Sequence, residues 1–281
     1  MRLGYNTNGL VHHSLPAAIE LLASLGYESV AITLDHACLN PFSPDHEREL
    51  EEAAALLKQH GLRSVIETGA RYLLDPREKH QPTLVSPRSA GRPRRIEFLR
   101  HAIDTAAALG SDCVSLWSGV LPSEDSREIG MERLVKSLSA VLDYAERRDV
   151  ILGFEPEPGM LIDTMDSFSE LLEAMFLKKS DSDHLQLTLD LGHLHCLGEG
   201  PIEQVIKRWS ERLVNIHIED MRAGVHEHLM FGEGEIDFPP ILSALQDVNY
   251  QGGLHVELSR HSHIGPGVAA RSIKFLKSLA G

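Results

Sequence analysis

Cysteine is scarce. Cys38, Cys113 and Cys196 are the three in 281 residues, far apart and odd in number. That excludes a disulfide framework and reads as reduced, mostly buried thiols in a cytosolic protein. Long apolar runs are missing: none approaches the roughly 18 residues that a membrane-spanning helix needs. Positive charge is short, with 27 Lys and Arg against 41 Asp and Glu and a formal net charge of -14. Such a chain repels a phosphate backbone, which disfavours general nucleic-acid binding without excluding a local basic patch. No linker-like stretch divides the chain, which argues for a single domain over 1–281. The opening Met1-Arg-Leu-Gly-Tyr is already strand-like, so no signal peptide or transit sequence is expected and the cytoplasm is the expected location.

What is present is a rhythm of short apolar runs alternating with helical periods. "RLGYN" (2–6) precedes a helix capped by Ser14, with Leu15, Ala18, Ile19, Leu22 and Leu25 on one face and Gly26 at its end. "ESVAIT" (28–33) precedes a helix ended by Gly61, and "RSVIET" (63–68) is the third strand. Further strands are expected at 113–117, 150–155, 185–190, 213–218 and 252–258. Helices are expected at 94–109, about 127–147, 166–178, about 201–211, 238–248 and 267–280. Asp237 is placed to cap the helix at 238, with Pro239 and Pro240 in its first turn. Eight strands this short and apolar, each followed by a helix, predict a closed (β/α)₈ TIM barrel. A doubly wound open sheet is the other candidate, but no Gly-x-Gly-x-x-Gly turn follows the first strand.

One stretch breaks the rhythm. Residues 68–95 carry four prolines and seven basic residues (Arg71, Arg77, Lys79, Arg88, Arg92, Arg94 and Arg95) against Asp75 and Glu78. Loops this long are usually functional or disordered. Two readings stay open: a solvated excursion, or a lid whose arginines meet an acidic or phosphorylated substrate or a neighbouring subunit.

In such a barrel the C-terminal strand ends converge on one mouth. Strand five ends in Glu155, strand six in Asp190, strand seven carries His217 and strand eight carries Glu257. Each lies in an apolar run, "LGFE", "LTLD", "NIHI" and "HVEL". A carboxylate there needs a partner, and any one alone reads equally well as a helix cap or a salt-bridged rim residue. Four in succession suit a hard-to-borderline divalent ion, with Mn²⁺, Mg²⁺, Co²⁺ and Zn²⁺ all fitting; without cysteine in the set it is not a structural zinc site.

The motifs "GFEPEPG", "LTLDLGHLH", "NIHIEDM", "HEHLMFGEGEIDF" and "GGLHVEL" resemble the xylose isomerase-like TIM-barrel superfamily. Its sugar isomerases and epimerases include tagatose 3-epimerase-like and hydroxypyruvate isomerase-like enzymes. The resemblance implies one divalent metal, Mn²⁺ foremost, on Glu155, Asp190, His217 and Glu257. It also implies substrate contact by His193, Glu155 and Glu257 as catalytic acid and base, and a homodimer or tetramer. The chemistry expected is isomerisation or epimerisation of a sugar, ketose or related polyol through a metal-stabilised enediolate. Alternatives are a metal-dependent dehydratase on an inosose-like ketone, an apurinic-site endonuclease and a non-catalytic binding protein. The endonuclease class uses a three-zinc cluster. His226 and His228 align with two of its ligands, but two more fall near Glu67 and Trp117, and Trp cannot bind metal.

His228, and after it His226, are therefore expected to face substrate. Asn6, His36, Trp117 and Arg222 are the remaining candidate substrate contacts. Trp117 serves equally as core, and Arg222, like Arg260, is a candidate for a phosphate or carboxylate. Glu157, between Pro156 and Pro158, reads as a supporting residue or a capped turn. His195 reads as surface, and His12, His13, His261 and His263 as rim. The loop holding His226 and His228 is expected to turn back at Gly232-Glu233-Gly234.

Overall fold

Side chains alternate inward and outward along each short strand, and that alternation builds both the core and the mouth. The structure, a computed structural model, describes residues 1–87, 90–178 and 182–279. Arg88 of the basic stretch and Ala280 of the last expected helix lie outside the described residues. The parallel strands are β1 (Arg2–Asn6), β2 (Ser29–Thr33), β3 (Arg63–Glu67), β4 (Val114–Leu116), β5 (Leu152–Phe154), β6 (Leu185–Asp190), β7 (Leu213–Ile218) and β10 (Gly253–Val256). They pair in that order, and β10 closes the barrel against β1 with Arg2 opposite Gly253. Around it run α1 (Leu15–Leu25), α2 (His46–His60), α3 (Gly91–Leu109), α4 (Arg127–Arg148), α5 (Met165–Lys178), α6 (Leu191–Leu197), α7 (Ile202–Trp209), α8 (Phe238–Asp247) and α9 (Gly265–Leu279). This is the expected (β/α)₈ barrel. No helix among the described residues is long and apolar enough to cross a membrane.

Outward residues such as Ile32, Ile66, Phe154, Leu189, Ile216 and Val256 pack with helix residues such as Ile19, Phe98, Leu138, Phe168 and Ile273 in one continuous core. Inward residues Ala31, Val65 and Cys113 form a separate small cluster within the barrel. Continuing that inward period to the strand ends yields Asn6, Thr33, Glu67, Trp117, Glu155, Asp190, His217 and Glu257. Helix ends follow local chemistry. Ser14 accepts a hydrogen bond from the Ala17 N–H at 3.4 Å, and Gly26 (φ 85°) takes the left-handed turn that ends α1.

Three local features differ from the sequence reading. The basic stretch is anchored rather than wholly solvated: Leu73, Leu74, Leu84 and Val85 are buried, while Pro76 to Lys79 are exposed, and α3 starts at Gly91 rather than 94, which adds Arg92 to the helix carrying Arg94 and Arg95. A short helix, α6, follows β6 at once because Asp190 caps it, its Oδ1 accepting from the His193 N–H at 2.9 Å. The stretch after β7 is not an irregular loop but an antiparallel hairpin of β8 (Asp220–Arg222) and β9 (Val225–Leu229). "VHEHL" lacks apolar alternation, so it gives no strand signal. Of the cysteines, Cys113 and Cys196 are buried, Cys38 is half-buried, and all three are free.

Candidate metal centre and active site

His217 projects inward from the end of β7, and its two nitrogens face different partners. Nδ1 lies 2.9 Å from Glu155 Oε1, 3.1 Å from Glu257 Oε2 and 3.9 Å from Asp190 Oδ2. Nε2 lies 2.9 Å from Glu67 Oε1. Glu155, Asp190, His217 and Glu257 offer ligand atoms that all lie within 4.8 Å of one another. Their period-two positions and the closing of β10 onto β7 and β1 bring them to one level of the barrel.

The donor set fits a divalent cation. Three carboxylates around one imidazole leave surplus negative charge in a buried place. Asp190 Oδ2 is buried without any hydrogen-bond partner, while Oδ1 of the same carboxylate caps α6. Capping and ligation, posed as alternatives for such a residue, would use different oxygens of one side chain.

Electrostatics divides the two glutamates. Burial pushes the Glu155 carboxyl up to about 7, only partly offset by His217. At Glu257 burial acts in the same direction, but His217, His228 and His193 outweigh it and hold the carboxyl well below its usual range. For His217, burial opposes the charged form, yet Glu155, Glu67 and Glu257 together raise the imidazole well above its ordinary value. Asn8, in the turn after β1, donates from Nδ2 to Glu257 Oε1 at 2.7 Å. That turn is held by Asn6, whose Oδ1 accepts from the Asn8 N–H at 3.0 Å and from Thr33 Oγ1 at 2.7 Å.

Above the cluster opens a cavity of about 280 Å³. His193, His226 and His228 form one wall, their rings 4.7 to 5.9 Å apart and mostly edge-on. His226 and His228 share a face of β9 because they are two residues apart on a strand. His193 Nδ1 donates to the Pro156 carbonyl at 3.3 Å, and burial lowers its imidazole to about 4. Glu219, fully buried, lies 3.6 Å from His228 Nδ1 and would collide with a Cβ at Gly192. Glu157 faces both His193 and His226, at 3.8 and 3.9 Å. These histidines are themselves a grouping of metal-ligand type, as are Asp190, Glu219 and His228.

Opposite them, Trp117 lines the cavity in edge contact with His80 and with the Arg95 guanidinium 4.5 Å over its ring. Arg95 is fully buried, and Nη2 donates to the Thr68 carbonyl at 2.6 Å. The basic stretch therefore divides: Arg71, Lys79 and His80 line the cavity, and Arg95 supports Trp117 from below.

The sequence of residues 19–279 matches the profile described as xylose isomerase-like TIM barrel. The chain belongs to this family. It is 25% identical over 257 residues to the L-ribulose-5-phosphate 3-epimerase UlaE of Salmonella paratyphi A, covering 89% of this chain and 86% of that one. Among solved structures, the IolI protein with a binding zinc atom superimposes with a TM-score of 0.79 at 20% identity, over 99% of this chain and 98% of that one. A D-tagatose 3-epimerase-like protein gives a TM-score of 0.76 at 20% identity, over the whole of both chains.

Of the substrate contacts expected from sequence, Asn6, Trp117, His193 and His228 line the cavity of this family member, as do His226, Glu157 and Arg260. Two do not. His36 is exposed and lines an adjoining chamber of about 190 Å³ beside Asp35 and Cys38, which shares Asn8, Thr33 and Arg71 with the cavity. Arg222 is exposed on β8, and its Nη2 donates to the Glu233 carbonyl at 3.1 Å, away from the mouth. The Gly232–Gly234 corner turns around buried Asp220, whose Oδ2 accepts from the Gly232 N–H at 2.8 Å; a Cβ at Gly234 would lie 2.2 Å from Oδ1. Glu67, Asn8, Glu219 and the cavity-facing Lys79 and His80 had no assigned role in the sequence reading. Only Glu67 carried a usable signal, a carboxylate ending the apolar run "SVIE" in phase with "LGFE" and "LTLD".

Proposed function

We propose that this protein is a divalent-metal-dependent isomerase or epimerase of a sugar, ketose or related polyol. The observation that carries the reading is the pair Glu155 and Glu257, 2.9 and 3.1 Å from one imidazole nitrogen and both lining the cavity. Glu155, Asp190, His217 and Glu257 would hold the ion, for which Mn²⁺ is the expected choice. When bound, a divalent cation supplies Lewis-acid polarisation to the substrate's oxygens. One glutamate takes the proton from the carbon beside the carbonyl, and the other returns one. Carboxyls pushed in opposite directions by their surroundings suit that division of labour. His193, His228 and Asn6 orient hydroxyl groups, and Trp117 presents an apolar wall. The epimerase named among the sequence relatives supports the same reaction class.

The test is incubation of the purified protein with Mn²⁺ in D₂O and a panel of ketoses, their phosphates and inososes. Deuterium uptake at the carbon beside the carbonyl is expected for at least one. No uptake with any panel member would sink the reading, and loss of water from an inosose would convert it to a dehydratase. With the responsive substrate, His36→Ala and Arg222→Ala should each change KM by less than about twofold, as surface substitutions away from the site. A tenfold rise in KM for either variant would return that residue to the binding site.

A further inference from the structure

Glu67 has no part in the reaction as proposed, yet it is buried at the mouth with two donors on one oxygen. Its Oε1 lies 2.9 Å from His217 Nε2 and 3.2 Å from Asn215 Nδ2. A carboxylate oxygen only accepts, so both nitrogens aim a hydrogen at Glu67; Asn215 Nδ2 also lies 3.2 Å from His217 Nε2, and with both donating to the charged carboxylate that contact is not a hydrogen bond. Asn215 must then turn Oδ1 toward His255 Nδ1, 2.7 Å away, which donates. The remaining nitrogen, His255 Nε2, accepts from Ser29 Oγ at 2.9 Å. The network therefore has one polarity, running from Ser29 across the barrel interior to Glu67.

The His255 ring has no room to turn over. A Cβ on Gly4 or Gly253 would lie 2.2 or 2.1 Å from atoms of the His255 ring, so the imidazole lies against the backbones of β1 and β10. All members are buried. At the far side of His217, three carboxylates surround Nδ1. Left to those three alone, a neutral imidazole would place its single hydrogen on Nδ1, where it has no lone pair to offer a cation.

The geometry points to Glu67 as the positioning residue of this centre. It draws the hydrogen to Nε2, fixes the ring plane of His217 and leaves the Nδ1 lone pair facing Glu155, Asp190 and Glu257. Carboxylate-to-histidine contacts of this kind orient metal ligands and raise their basicity. The assignment rests on the reading that these four residues hold a divalent ion.

Titration calorimetry of the full chain with Mn²⁺ and with Zn²⁺ tests it. Glu67→Ala should weaken both ions by about 10- to 100-fold. Glu67→Gln, whose amide oxygen keeps both accepting contacts without the charge, should restore part of the loss. In nitrogen–proton correlation spectra of the Zn²⁺-loaded protein, His217 should show a slowly exchanging Nε2–H, and Glu67→Ala should lose that protection. Unchanged affinity in Glu67→Ala, with the Nε2–H still protected, overturns the assignment and leaves the proposed function standing. Wild-type protein that binds neither ion overturns both. Should Glu67→Ala fail to fold, Glu67→Gln decides alone: weaker binding supports the assignment, and wild-type binding overturns it.

Discussion

Glu155→Gln and Glu257→Gln should each slow exchange of the substrate's α-proton with solvent by about 10²- to 10⁴-fold, the usual contribution of a positioned acid or base. Glutamine keeps the shape and an oxygen for the ion but cannot take up or release the proton. Both residues belong to the ligand set, so the assay needs saturating Mn²⁺ and a parallel measurement of bound metal. With the ion retained and exchange lost, the defect lies in proton transfer. Undiminished exchange in either variant would remove that glutamate from the mechanism. The two should differ in partial reactions, because one face of the substrate carbon meets each carboxyl. With both epimers labelled at that carbon, one variant should fail to release label from one epimer and the other variant from its mirror partner at that centre.

His217→Ala should abolish tight metal binding, with stoichiometry falling from one ion per chain to a small fraction by elemental analysis. His217 is the only nitrogen among the four proposed ligands and the one contacted by the other three. Binding in the wild type should also depend on pH with a definite sign. His217 without metal holds its proton to well above its ordinary value, and Glu155 titrates near 7. The ion must displace those protons, so affinity falls as pH falls. From pH 8 to pH 6 the loss should be about tenfold per unit for one proton released, and steeper toward pH 6 as Glu155 joins. Affinity independent of pH over that window would show that His217 is not a ligand.

Much of the site could be read along the chain because burial and period two act locally. A carboxylate or imidazole closing an apolar run of three to five residues stands out without any knowledge of neighbours, as in "LGFE", "LTLD" and "NIHI". Glu67 obeys the same rule but was hidden by one residue: the run "RSVIET" reads as ending at Thr68, whereas β3 ends at Glu67. His36 lies outside the cavity lining for the opposite reason. Proximity to a strand end does not say which way the chain leaves it. The hairpin carrying His226 and His228 has no apolar alternation, since one side of it is the cavity and the other is solvent.

The basic stretch shows how local composition misleads. Seven cations with four prolines read as one surface feature. In the folded chain Arg71 and Lys79 face the cavity, while Arg95 lies buried under Trp117. Arg95 lies on the buried face of α3, and the aromatic face of Trp117 takes the place of a counter-ion.

The order of eight strands and the ligand-type side chain at four of their ends followed from the sequence alone, because each depends on residues a few positions apart. Which ends meet did not. Asn8 reaches Glu257 across 249 residues, and Glu67 reaches His217 across 150. Those contacts exist because β10 closes against β1 and the mouth becomes a ring, and a hydrogen bond across a closed ring has no signature in any local window.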